Sequence, residues 1–300
     1  MSNYHIGQYI KKRREELNVN QDALCYGICD RSTLSRIERG RQEPSYQVLK
    51  ALLQRLGISE NRCQILIGPQ EFAIVELQHD FSAALQKIER LEALFQPEQQ
   101  PILQQFVLRV RALAGYEKDG QHFDYDCPTQ RRMLKQALEL TCAGINLENM
   151  RGFLLGEDET KIINQIAITY SEEGKRRQAI EIYRQLIRYV ESHFPDCEVR
   201  QVMLPLTAYN YSRLLGLERR YEEAIEVAEL GRQCCVKYNK CRMLGGLLLN
   251  IACCLHELGE DEKSKELLIQ SYYVGLAMEN FQDCEVIKRY AKETIGLLLN

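Results

Sequence analysis

Arg31, Ser32, Thr33, Ser35 and Arg36 crowd the start of one short segment. Side chains of these types can meet the edges of DNA bases. An arginine fork takes guanine O6 and N7 together, serine and threonine give or accept hydrogen bonds, and a threonine methyl can rest on a thymine methyl. Gln21 opens the preceding segment, where backbone N–H groups and an amide can hold a phosphate. Arg39, Arg41 and the run Lys11–Arg14 add positive charge that a phosphate backbone attracts.

Several of these residues have a plainer reading. Arg14 and Glu38 fall where a first and a third helix should touch, so Arg14 is either half of a structural ion pair or a phosphate ligand. Lys11, Lys12 and Arg13 read as a solvated face rather than as base readers. Arg36 fits a base edge and a phosphate equally well.

The elements that must position these residues are short helices. A first helix buries Ile6, Ile10 and Leu17. A second begins at Gln21 and buries Leu24 and Ile28. Asp30 is a natural N-cap for a third, which buries Leu34 and Ile37 and stops at Gly40. Pro44-Ser45 starts a fourth, with Leu49, Leu52, Leu53 and Leu56 inward.

The remaining chain also reads as helix, with apolar residues recurring at three and four positions and no alternating strand pattern. Breaks fall at Gly115–Pro128, Gly144–Gly156 and Phe194-Pro195, among others. Three hundred residues suggest more than one domain. Charge is uneven: residues 1–58 carry ten Lys/Arg against six acids, a net of +4, and the remainder carries −7. A basic head on an acidic body fits nucleic-acid contact by the head alone. No long apolar run suggests a membrane span. The N-terminus lacks a basic-then-apolar secretion signal, so a cytoplasmic location is expected. The 12 cysteines include no CxxC pair. They read as buried, inert thiols, with no metal site and no cofactor expected. No phosphate-cradling glycine loop, HExxH or nucleophile motif is present, so no catalytic residues and no enzyme activity are expected.

Internal repetition organises the larger part. Small residues recur twelve positions apart, at Ala167 and Ala179, Ser212 and Ala224, and Ala252 and Ser264. Small side chains there let two antiparallel helices approach closely. The pattern resembles tetratricopeptide helix pairs, with residues 60–95 and 100–143 as further, degenerate pairs. Residues 5–58 resemble the XRE-type helix-turn-helix domain, carried by Asn20-Gln21, Leu24, Gly27-Ile28, Ser32 to Gly40 and Pro44-Ser45. The turn between Leu24 and Leu34 is one residue shorter than the commonest form. With the repeat array, it resembles the peptide-pheromone regulators of the Rgg and PlcR type.

That resemblance implies a short signalling peptide in the hollow face of the array. Two positions before the small residue of each first helix stand Gln165, Asn210 and Asn250, and one position after the second stands Arg213. An amide offers a donor and an acceptor, as does each peptide unit, and Arg213 suits a carboxylate. Solvated polar residues are the plain alternative. His193 and His256 read as surface or capping residues.

The expectation is therefore an all-α chain: a helix-turn-helix head at 1–59, a linker helix and first degenerate pair at 60–96, and a tetratricopeptide-like array at 97–300. It would be a peptide-controlled transcription regulator, a homodimer on a palindromic operator in double-stranded DNA. The alternative is a helix-turn-helix regulator whose repeats bind a partner protein or serve only for dimerisation.

Overall fold

Ser, Asp and Asn side chains set where the first helices begin. A computed structural model describes residues 3–58, 101–118, 121–195 and 197–299. Helix α1 runs Asn3–Glu16, α2 Gln21–Cys25, α3 Arg31–Glu38 and α4 Tyr46–Arg55. Asn20 accepts Ala23 N–H at 2.7 Å, Asp30 accepts Thr33 N–H at 2.8 Å, and Ser45 accepts Val48 N–H at 3.4 Å. Each satisfies an N–H that the first helical turn leaves unpaired. Ile10, Leu24, Ile28, Leu34, Ile37, Leu49, Leu52, Leu53 and Leu56 form one core. Leu17 does not join it and is 36% exposed. Leu17 N–H still closes the last helical bond of α1, to the Arg13 carbonyl at 3.1 Å, but the chain turns away through Asn18 at φ 53 and leaves Leu17 at the open end of the helix. Gly7 lets α1 lie directly on α3: a Cβ there would sit 2.0 Å from the Ile37 carbonyl oxygen.

The chain divides into two compact units, Met1–Gly174 with His193–Glu198, and Lys175–Ser192 with Val199–Asn300. In the first, α5 (Pro101–Ala114), α6 (Cys127–Thr141) and α7 (Glu157–Glu172) follow the head. Between α5 and α6 lies a hairpin, β1 Tyr116–Lys118 against β2 Gln121–Phe123, antiparallel with Tyr116 opposite Phe123. The helical spacing gave no sign of it, because three-residue strands are too short to show alternation. The expected pair at 60–95 lies outside the described residues.

The head is fastened to α6 and α7 by buried polar groups. The N-cap of α7 is Gly156, which has no side chain to accept an N–H. Gln54 of α4 does so instead: its Oε1 accepts Glu157 N–H at 2.9 Å. A Cβ on residue 156 would lie 3.0 Å from that oxygen. Arg55, 2% exposed, donates to the carbonyls of Leu24 (3.0 Å), Tyr26 (2.6 Å) and Thr141 (2.6 Å) and lies 3.7 Å from Glu159. Thr141 in turn donates its hydroxyl to Glu159 at 2.6 Å. His193 Nε2–H donates to the Arg55 carbonyl at 2.8 Å.

Glu157 faces Lys161 at 2.5 Å and Lys50 at 3.7 Å. Burial alone would raise its carboxyl, but the two ammonium groups outweigh burial and hold it at about 2. A depressed carboxyl contributes stability above its unfolded value and loses it as pH falls through the folded one. The contribution should be complete above the ordinary 4.5 and fade between 4.5 and about 2. Acid unfolding of Glu157→Gln beside the wild type should show a gap that closes across that window; a gap independent of pH would contradict the assignment.

The second unit holds α8 (Arg176–His193, whose last residue lies in the first unit), α9 (Glu198–Leu217, whose first residue lies in the first unit), α10 (Tyr221–Tyr238), α11 (Leu244–Glu257), α12 (Asp261–Ala277) and α13 (Phe281–Tyr290). Its helices pack on small residues. Ser264 donates to the Ala252 carbonyl at 2.8 Å, so the twelve-residue pairing brings α11 and α12 into contact. A Cβ on Gly231 would lie 2.7 Å from Ala208 Cβ, and one on Gly246 2.6 Å from the Tyr209 ring. Among the described residues the fold is thus all-α apart from the hairpin, with a helix-turn-helix head followed by helical repeats.

Candidate functional site

Helix α3 has one face in the core and the other in solvent. Leu34, Ile37 and Glu38 are buried, whereas Arg31, Ser32 and Arg36 are exposed and Thr33 and Ser35 half-buried. Asp30 organises the exposed end. Its Oδ1 accepts the Ser32 hydroxyl at 2.6 Å and Thr33 N–H at 2.8 Å, and its Oδ2 accepts the Thr33 hydroxyl at 2.9 Å. Led by the Ser32 bond, these hold the carboxyl well below the usual carboxylate range. Arg36 Nη2 lies 3.2 Å from Thr33 Oγ1 and 3.4 Å from Ser32 Oγ. Arg31 Nη1 pairs with Asp22 at 3.3 Å in the open, a contact worth little and easily exchanged. Arg39 and Arg41 are exposed on either side of Gly40, whose φ of 68 ends the helix.

Beneath this face the helices are tied by Glu38. It accepts Arg14 Nε at 2.7 Å and Nη2 at 3.0 Å, and Gln21 Nε2 at 2.8 Å, while Arg14 Nη1 donates to the Val19 carbonyl at 3.0 Å. The Glu38 hydrogen bond raises the Arg14 guanidinium. Arg14 is therefore a structural partner rather than a phosphate ligand. Gln21 spends one amide N–H on Glu38, which leaves its second N–H and the backbone N–H groups at the start of α2 for a phosphate. Lys11 faces Glu15 at 3.9 Å on a solvated helix face, whereas Arg13 is half-buried, pairing with Glu16 at 3.2 Å and donating from Nε to the Leu56 carbonyl at 3.4 Å.

The four residues expected to meet a peptide are divided between the units. Gln165 is on α7 in the first, half-buried, and its Oε1 is buried without a hydrogen-bond partner. Asn210 and Arg213 lie on α9 and Asn250 on α11, in the second. Arg213 is exposed and has no ion pair among the described residues. Asn250 also bridges the helices: its Nδ2 donates to the Tyr209 carbonyl at 3.0 Å and to Ser212 Oγ at 2.9 Å. Only its carbonyl oxygen remains for another partner.

The histidines have local roles, His256 against Asp261 at 2.6 Å and His193 on Arg55. Burial pushes the Cys29, Cys142 and Cys254 thiols up to about 12, far from the thiolate form that reacts. Sequence reasoning missed Gln54, Arg55, Thr141 and Glu159 altogether. The acids at the start of α7 were the only signal, and they are ordinary at a helix N-terminus.

A family model described as the RNPP family C-terminal domain matches residues 75–288, and one described as a helix-turn-helix matches residues 10–62. No curated protein matches the chain. Among solved structures it is similar to Bacillus thuringiensis PlcR in complex with the peptide PapR7 and DNA. That likeness has a TM-score of 0.57 at 22% identity and covers 95% of this chain and 99% of that one. The apo form of PlcR gives 0.56 at 21%, covering 95% and 98%. The competence regulator ComR from Streptococcus vestibularis, in complex with its cognate signalling peptide XIP, gives 0.51 at 16%, covering 98% and 99%. At such identities these likenesses establish the fold.

Proposed function

Since the chain belongs to the RNPP family, we propose that it is a DNA-binding transcription regulator controlled by a short signalling peptide held by its repeats. The observation that carries this is the exposed face of α3, with Arg31, Ser32 and Arg36 outward on a head closed by Arg14 and Glu38. In this reading residues 1–59 are the DNA-binding head, 60–96 a linker helix and first degenerate pair, and 97–300 the sensing and dimerising part. Arg31, Ser32, Thr33, Ser35 and Arg36 meet bases or their phosphates, and Gln21, Arg39 and Arg41 the backbone. Two copies on a palindromic operator supply the area that a single small head lacks. Tyr273 and Phe281, 60% and 64% exposed near the C-terminal end, favour dimerisation through the last helices. The protein acts by binding rather than catalysis, in the cytoplasm. No helix among the described residues is long and apolar enough to cross a membrane.

For the peptide, the unpaired Arg213 guanidinium is the anchor, taking a terminal or side-chain carboxylate, with Asn210 and the Asn250 carbonyl along the second unit; Gln165 in the first unit is a separate candidate contact. The test is calorimetry with the short peptides encoded beside the gene. One should bind, and Arg213→Ala should weaken it by roughly ten-fold or more, as removal of a charge-assisted hydrogen bond does. Unchanged affinity would remove Arg213 from the site. If no such peptide bound, the repeats would be left to a partner protein or to dimerisation.

A further inference from the structure

The hydroxyls of Ser32 and Thr33 stand between two groups of fixed character. Arg36 offers only N–H donors, and the Asp30 carboxylate has only acceptors. Between them the direction of every hydrogen bond is forced. Ser32 gives its proton to Asp30 Oδ1 at 2.6 Å, and Thr33 gives its proton to Oδ2 at 2.9 Å. Each hydroxyl oxygen then accepts from Arg36, at 3.4 and 3.2 Å. A serine or threonine hydroxyl is ordinarily a tolerant reader, because it can turn its proton toward an acceptor or its lone pairs toward a donor. Here the proton is committed, and only lone pairs face outward.

We propose that Asp30, without touching DNA, sets the base preference of α3 by holding Ser32 and Thr33 as acceptors. The half-site would then carry an amino base, adenine or cytosine, on the strand these hydroxyls face. In the major groove adenine N6 and cytosine N4 present donors, whereas guanine O6 and thymine O4 present acceptors in the equivalent place. A lone pair facing O6 or O4 finds no hydrogen, so keto bases are rejected. The negative charge of Asp30 acts in the same direction, favouring the partially positive amino edge. Arg36 stays available, since its contacts to the hydroxyls are long and lie in the open. It can swing to a neighbouring guanine or phosphate, and its departure leaves the hydroxyls richer in lone pairs. The inference rests on the proposed DNA binding and adds to it a rule about bases.

Asparagine at residue 30 separates this role from capping. It is as good an N-cap as aspartate, and its carbonyl can still accept Thr33 N–H. Its amide, however, donates to one of the hydroxyls and frees that proton to point outward. The full-length protein and Asp30→Asn would each select from a randomised operator library. The positions read by the hydroxyls are those where Ser32→Ala with Thr33→Ala loses its preference. The wild type should favour A or C over G or T there by roughly ten-fold. Asp30→Asn should keep the same melting temperature and salt dependence while that preference disappears or moves to G or T. Identical preferences in wild type and Asp30→Asn would overturn the proposal, as would G or T selected by the wild type. If neither protein enriched any motif, the DNA-binding reading itself would fail and take this rule with it. Enrichment without the amino preference would sink the rule alone.

Discussion

Replacing Arg55 with alanine is expected to unfold the junction between the head and its neighbouring helices. One buried guanidinium serves the carbonyls of Leu24, Tyr26 and Thr141 and lies beside Glu159. Its removal strands three acceptors and a carboxylate in a site where Arg55 itself is 2% exposed. Removing one partner from a buried charged cluster typically destabilises by about 3–5 kcal/mol. For a unit of this size that corresponds to a fall of roughly 6–20 °C in melting temperature. Arg55→Lys should recover only part of this, because an ammonium has no planar fork to span carbonyls on both sides. A thermal melt of Arg55→Ala within a degree or two of wild type would show that these hydrogen bonds contribute nothing net.

The second large effect concerns DNA. With Arg31 and Arg36 both changed to alanine, affinity for the operator should fall by about a hundred-fold or more, at 1–3 kcal/mol for each good arginine–base pairing. The fold should be untouched, since both side chains are exposed and Arg31 has only the open pair with Asp22. The salt dependence tells phosphate binding from base reading. Taking away one phosphate-neutralising side chain lowers the slope of log affinity against log salt by about one, whereas taking away a base reader relaxes preference at one position. Bandshift titrations at several salt concentrations would measure both. Equal affinity and an equal slope in the double variant would mean that α3 is not the reader.

How far the sequence speaks for itself depends on the distance between interacting residues. The head was legible because its logic is local. Asp30 three residues before Thr33 N–H, apolar Leu34 and Ile37 one turn apart, and Gly40 past the helix end each act within a few positions. The Arg14–Glu38 pair could be read as well, since helix lengths fixed which faces meet. The spacing of small residues likewise anticipated Ser264 on Ala252. Leu17 failed because periodicity was carried to the open end of α1, where the chain turns away through Asn18. Asn250 shows another limit: its spacing gave its row on the helix but not that Tyr209 and Ser212 would take its nitrogen. Arg55 and Thr141 are 86 residues apart, and Gln54 and Glu157 are 103 apart. Polar residues so separated look like solvated surface in a sequence. Only the fold reveals that they are buried together.

The Gln54 cap has a consequence for engineering. A helix-turn-helix unit invites transplantation, as though it were a cartridge to be exchanged between regulators to redirect them to new promoters. Here the first N–H of α7 takes its acceptor from α4, at a glycine that has no substitute of its own. A foreign head would leave that amide bare unless it brought glutamine and arginine at the equivalents of residues 54 and 55. Chimeras of this protein should therefore be cut after α7 rather than after the head, so that graft and seat travel together.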